Sequence, residues 1–246
     1  MTPFISVITT LYNCERFVQE SLDSIANQSY QNFEWLLVND GSTDSTWDIV
    51  KQFKHPNIVL VDNADNKKIP FRRNQAIEMA KGRYIAIHDG DDVSLPDRLK
   101  IQSDFVRENT DIFCVGGWAI QISENSEEQR LMQYPPTKIE DAVKMLFLQR
   151  RNPIIDPTCM FRRDVFIKLG RYTLEKAIFT VPDMDLWARS MVAGYDLVSL
   201  PKALIKYRIN PDGMTRKFKK EMIVAHQTVW QRFYREMKKS RSRIGG

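Results

Sequence analysis

Five short runs rich in aliphatic, β-branched and aromatic residues, at 4–9, 33–38, 57–61, 84–88 and 112–118, are each separated from the next by a helix-length segment. Nearly continuous apolar runs of this length fit strands buried on both faces. Strands alternating with helices imply βαβ units, whose crossovers lay parallel strands in one sheet with helices on both sides. The intervening segments carry helical signals. Phe17, Val18, Leu22 and Ile25 share one face of 15–26, and 44–53 follows a Ser/Thr/Asp run suited to capping. Residues 74–81 end before Gly82, read as a left-handed cap, and Pro96 stands where the first turn of a helix over 97–109 begins. The expected class is α/β, with a mostly parallel central sheet and ligands gathering at the carboxyl ends of its strands.

Beyond residue 120 the pattern loosens. Residues 121–137 are polar and end in Pro135-Pro136, which reads as a loop before a helix over 139–148. Residues 150–157 are rich in turn formers, 159–161 form a short apolar element, and 183–193 return to helical spacing with Leu186, Trp187 and Met191 on one side. No internal repeat is visible, so the second half is read as completing the same fold.

At 246 residues and 43% apolar content the chain can bury one substantial core. Cys14, Cys114 and Cys159 are far apart with no CxxC spacing, which suggests neither zinc nor a disulfide framework and fits a reducing cytoplasm. No run approaches the roughly 18 apolar residues of a spanning helix. The net charge of +5 is uneven: ten Lys or Arg against Glu221 and Glu236 give +8 over 216–243, leaving −3 elsewhere.

Two acidic segments follow candidate strands. In His88-Asp89-Gly90-Asp91-Asp92, three carboxylates within four residues repel one another, with no evident basic partner nearby in sequence. A hard cation such as Mg²⁺ or Mn²⁺ relieves that repulsion, and a solvated turn capping the next helix is the plainer alternative. In Val38-Asn39-Asp40-Gly41-Ser42-Thr43-Asp44, a short carboxylate at a strand end can accept hydrogen bonds from a base or a ribose hydroxyl, or simply open a strand-to-helix turn.

Taken together, 5–13, 38–46, Arg73-Asn74 and 80–99 resemble the inverting family-2 glycosyltransferases of GT-A fold. The resemblance spans about 4–118, with a second segment over 157–207. It implies that Thr10, Tyr12 and Asp40 hold the uracil and ribose of a UDP-sugar, and that Arg73 touches the nucleotide. It further implies that Asp89 and Asp91, across Gly90, form an Asp-x-Asp element contacting the ribose and a divalent metal (Mn²⁺ or Mg²⁺) on the diphosphate, with Asp92 extending it. Pro182-Asp183-Met184-Asp185-Leu186-Trp187 resembles the family's Glu-Asp-x-Asp-Leu-Trp element, which makes Asp183 the catalytic base. Asp185 is turned away toward a structural or acceptor-side partner, Leu186 and Trp187 lie in the core, and Trp187 is also a candidate to stack on a sugar. Tyr207-Arg208 precedes Ile209-Asn210 where some members carry a metal-site histidine, so Asn210 or water stands in for it. His55 and His226 read as surface residues and His88 as packing.

By this resemblance, 1–118 is the nucleotide-sugar half and 119–215 the acceptor half of one domain, followed by a basic helix over 216–246. The implied reaction is inverting transfer to a hydroxyl of a glycan or lipid-linked acceptor in cell-surface polysaccharide synthesis. A sugar-phosphate nucleotidyltransferase fits less well, because 9–16 contain no glycine; a non-catalytic glycan-binding protein would be expected to have lost the aspartates. In the tail, Phe218, Met222, Val229, Trp230, Phe233 and Met237 interleave with Lys and Arg. Such a helix lies on an anionic membrane, here the inner face of the plasma membrane, or packs on the body or on a second subunit of a homodimer. Nothing beyond charge suggests nucleic acid.

Overall fold

The computed structural model describes residues 3–133, 139–211 and 213–244; Pro135 and Pro136 lie outside them. The first half follows the expected alternation: β1 (Ile5–Leu11), α1 (Val18–Ala26), β2 (Phe33–Asn39), α2 (Thr46–Gln52), β3 (Ile58–Val61), α3 (Ile69–Met79), β4 (Tyr84–Asp89), β5 (Val93–Ser94) and α4 (Arg98–Glu108). β6 (Cys114–Ile122), β7 (Glu128–Met132), α5 (Ile139–Phe147), β8 (Met160–Arg162), α6 (Arg163–Lys168), α7 (Pro182–Val192), β9 (Leu197–Arg208), α8 (Met214–Lys217) and α9 (Lys219–Ile244) complete the chain, with a 3₁₀ turn at Asp156–Thr158 before β8.

One nine-stranded sheet runs through the molecule in the order β3-β2-β1-β4-β8-β6-β9-β5, with β7 paired to β6. β3, β2, β1 and β4 are mutually parallel, as are β6 and β9, while β8 runs antiparallel between β4 and β6. Alternate side chains of the buried strands feed two cores. Ile5, Val7, Trp35 and Leu37 pack with α1, α2 and α4 on one face. Ile8, Leu36, Ile85 and Ile87 belong to a larger cluster with α3, α5, α6, α7 and α9 on the other.

Several local expectations give way to tertiary packing. α3 begins at Ile69 rather than near 74, because Pro70 suits its first turn and Arg72 and Arg73 are drawn in by the carboxylates of Asp40 and Asp89. The α3 C-cap, Ala80, is extended, and Gly82 is not left-handed. Gly82 instead lets the chain pass close to β1, since a Cβ there would stand 2.5 Å from Ser6 N. The polar stretch after 121 is not simply a loop: β7 pairs Ala119 with Met132 and Gln121 with Arg130 in a solvent-facing hairpin. α6, β5 and the long β9 carried no clear pattern of their own.

The basic tail turns its apolar stripe inward. Ala225, Val229 and Phe233 are buried in the larger core, with Met222 and Met237 against it. Phe218 packs edge-on against Phe179, and Trp230 lies between the Arg150 guanidinium and the Tyr234 ring. All six apolar residues expected on the tail's sticky face are therefore engaged with the body. Among the described residues, no helix is long and apolar enough to cross a membrane.

Candidate active site

Register alone brings three loops together. Thr10 sits opposite Val38 on β2 and Asp89 on β4, and Leu11 opposite Asn39. The residues just past these strands, Tyr12, Asp40 and Gly90, therefore share one rim, the carboxyl end of the parallel half-sheet. That rim holds unusual backbone: Asn13, Gly41 and Lys68 have φ of 48°, 71° and 73°. A Cβ on Gly41 would stand 2.8 Å from the Asp65 carbonyl carbon, so glycine is needed there on both counts. Lys68, with ψ 161°, occupies a region that is essentially glycine-only.

Asp40 explains how Lys68 is held. Its carboxylate accepts the Lys67 N–H at 2.7 Å, the Lys68 N–H at 3.0 Å and Arg72 Nε at 2.8 Å, while Arg72 also reaches Asp65. The Lys68 ammonium lies 6.0 Å above the ring of Tyr12, which is 48% exposed and so available to a ligand. A polar cavity of about 300 Å³ lined by Asn39, Gly41, Asp62 and Asn63 flanks this turn.

In the acidic turn each aspartate has a different partner. Asp89 Oδ1 accepts Arg73 Nη2 at 2.7 Å, so it does have a basic neighbour, brought from α3. Asp91 Oδ2 accepts Asn210 Nδ2 at 3.1 Å. Asp92, 1% exposed, accepts the Arg208 N–H at 2.8 Å. Arg208 also donates to the Asp91 carbonyl at 2.7 Å and reaches Glu20 and the β6–β7 turn. Gly90 leaves room for Leu11, whose Cδ2 would have to move from a Cβ placed 2.5 Å away. Below the turn, buried His88 lies between the Ser21 and Ser94 hydroxyls, and Arg98 donates to Ser94. Burial and the Arg98 charge push His88 down to about 3, so it is neutral packing, as expected.

The donor set suits a hard cation in part. Burial, with a smaller contribution from the Asp89 charge, pushes Asp91 up to about 6 against the Asn210 hydrogen bond, so a bound cation would favour its charged form. Among the described residues, no three His, Cys, Asp or Glu side chains gather into a metal cage. The chain thus offers one or two carboxylates, as Mg²⁺-type sites do when substrate phosphate and water complete the shell.

Across the rim, Asp183 is the second residue of α7, where the helix dipole favours a carboxylate. It is half-buried and accepts a hydrogen bond from Asn152 Nδ2. Burial raises its pKa above the ordinary aspartate value, opposed by the Met184 N–H, the Arg73 charge and Asn152. His226 of α9 is half-buried, its pKa lowered by burial and lifted in part by the Asp183 charge, so it is not the surface residue expected. Asp185 points elsewhere and accepts Arg189 Nε at 2.8 Å, with Arg189 continuing to the Arg171 carbonyl. Trp187 is fully buried among Phe113 and Phe161.

One residue lies between the two carboxylate groups. Arg73, 3% exposed, gives Nη2 to Asp89 and Nη1 to Asp156, and its guanidinium lies over the Tyr172 ring. Asp156 is pushed up to about 7 by burial, with Asp183 and Asp89 both adding to the rise. Arg72, Asn152, Asp156, Arg208 and His226 were not anticipated in the site. The Arg72-Arg73 tandem was a usable signal, since neighbours on a helix point about 100° apart and so reach different carboxylates; Asn152 and His226 had none.

The profile of Glycosyl transferase family 2 matches residues 6–170. The O-antigen biosynthesis glycosyltransferase WbnJ of Escherichia coli is 32% identical over 212 residues, covering 84% of this chain and 80% of that protein. Two solved structures share the fold. S. aureus TarS 1-349 in complex with UDP-GlcNAc has a TM-score of 0.68 at 18% identity, covering 94% of this chain and 72% of that one. The mannosyltransferase PcManGT from Pyrobaculum calidifontis, in complex with GDP-Man and Mn²⁺, has 0.66 at 16%, covering 98% and 76%.

Proposed function

The chain belongs to glycosyl transferase family 2, and on that premise we propose that it moves a sugar from a nucleotide diphosphate donor, a UDP-sugar, to a hydroxyl of a glycan or lipid-linked acceptor during assembly of a cell-surface polysaccharide. The observation that carries this reading is the pairing of two carboxylate groups around Arg73: Asp89 on the donor rim, and Asp156 with Asp183 on the other side. WbnJ, named for O-antigen biosynthesis, supports the polysaccharide class, and the UDP-GlcNAc complex of TarS supports a uridine donor.

In this reading Tyr12 offers its exposed ring to the base, and Thr10 and Asp40 line the nucleoside pocket. Asp40 does so chiefly by holding the 65–68 loop and Arg72 in place. Arg73 acts from beneath, by orienting Asp89 rather than by meeting the nucleotide. Asp89 and Asp91 would hold a divalent metal, Mn²⁺ or Mg²⁺, which when bound stabilises charge on the departing diphosphate. Asn210 orients Asp91. Asp183, held by Asn152, accepts the proton of the acceptor hydroxyl as that oxygen attacks the anomeric carbon from the face opposite the diphosphate, which inverts configuration in one displacement. Asp92, Asp185 and Trp187 serve the scaffold. The donor-binding half is 1–118 and the acceptor half 119–215.

The test is a screen of UDP-, GDP- and other nucleotide sugars with Mn²⁺ and a panel of glycan and lipid-linked acceptors, reading nucleoside diphosphate release and the anomer formed. Acceptor-dependent release with an inverted product is expected. Pyrophosphate release from a nucleoside triphosphate and a sugar phosphate, or no turnover with any donor, would overturn the proposal.

A further inference from the structure

The inward-facing stripe of α9 leaves two large aliphatic residues stranded on its outer face. Ile223 and Val224 are 61% and 63% exposed, off the line of Met222, Ala225, Val229 and Phe233 that packs into the core. Exposed Lys219 and Lys220 stand about one turn before them, and exposed Arg216 and Lys217 end α8 just ahead of α9. The tail carries +8 over 216–243 while the rest of the chain carries −3. Adjacent aliphatic side chains fronted by a cluster of long cations match the layered chemistry of a bilayer surface: apolar groups enter at headgroup depth, and Lys and Arg remain among anionic lipid phosphates.

We propose that the outer face of α9, centred on Ile223 and Val224 with Lys219 and Lys220, together with Arg216 and Lys217 at the end of α8, docks on an anionic membrane surface. This surface differs from the one expected of the tail as an isolated amphipathic helix, whose aromatic and methionine side chains are spent on the fold. It also carries an orientation. His226, two residues beyond Val224, lies on the inner side of the same helix, where the Asp183 charge acts on it. Two residues correspond to roughly 3 Å along the axis, and opposite faces of a helix are about 10 Å apart. A membrane touching Val224 would thus lie about one helix diameter from His226, on the side of α9 turned away from the proposed base. The orientation rests on the reading of Asp183 as the base; the docking itself does not.

The experiment is flotation of the full chain with vesicles of mixed phosphatidylglycerol and phosphatidylcholine, and with phosphatidylcholine alone. Wild type is expected to float with the anionic vesicles only, and less at high salt. Ile223→Asp with Val224→Asp, and separately Lys219→Glu with Lys220→Glu, should each lower the bound fraction by roughly tenfold. Both doubles should keep the wild-type melting temperature and turnover on a soluble acceptor, because all four side chains face solvent. No wild-type flotation, equal flotation with both vesicle types, or flotation untouched by both doubles overturns the proposal. So does a concentration-dependent dimer lost in the Ile223/Val224 double without any vesicle binding, which would assign the face to a second copy. Turnover is not used to score docking, so failure of the enzymatic reading is detected separately.

Discussion

Arg73 Nη2 lies 2.7 Å from Asp89 Oδ1 while Nη1 of the same guanidinium holds Asp156, so one buried cation joins a carboxylate at the end of β4 to one in the 3₁₀ turn before β8. Removing it strands two carboxylates. Arg73→Ala should cost about 3–5 kcal/mol of stability, the usual penalty for breaking a buried pair, measured by urea unfolding. Arg73→Lys should recover part of it, because an ammonium restores charge but not the two-pronged geometry.

Asp183→Asn should lower turnover by roughly 100-fold to 10,000-fold, the worth of a general base, with donor affinity by calorimetry unchanged. Wild-type turnover in that variant would remove Asp183 from the chemistry.

The pH dependence has a definite sign. Burial raises the Asp183 pKa, and only the carboxylate can accept a proton, so turnover should fall on the acid side with a midpoint above the ordinary aspartate value. Asn152 donates to that carboxylate and lowers its pKa. Asn152→Ala should therefore move the acid limb to still higher pH, read from kcat profiles of the two proteins.

Lys68 is strained in place by Asp40. Lys68→Gly relieves a conformational cost of about 1–3 kcal/mol and adds about 0.5–1 kcal/mol of chain entropy to lose. The variant should be more stable to urea by about 1 kcal/mol, yet bind nucleotide sugar more weakly, having lost the ammonium above Tyr12. Stability and affinity moving together would contradict a role for this residue at the donor rim.

The tail belongs to the core. Phe233 is 2% exposed, and Phe233→Ala should cost about 3–5 kcal/mol, measured by denaturant unfolding. A cost under about 1 kcal/mol would mean that α9 is only loosely attached.

Where burial is two-sided, sequence and structure agree closely. β1, β2 and β4 are continuous apolar runs because both faces are covered, and the acidic turns sit at their ends because a parallel sheet puts its loops there. β7, with one polar face and no covering layer, carried no run to read. β9 was hidden because its core-facing Leu204 and Ile205 are separated from Leu197 by Pro201 and Lys202, which cross a break in register against β6. In the site, residues of a local motif such as Asp89, Gly90 and Asp91 could be read directly. Asn152 and Asp156 could not, since their meaning depends on Asp183 and Arg73, distant in sequence and placed by the sheet.

Arg208 is the last residue of β9, and it meets Asp92 and the Asp91 carbonyl across 116 and 117 positions of chain. On a growing chain the acidic turn is therefore made early and braced late. Residues 1–118 would leave the ribosome carrying Asp89, Asp91 and Asp92 before Arg208 and Asn210 exist to hold the last two. The turn would reach its braced form only when β9 takes its place between β6 and β5.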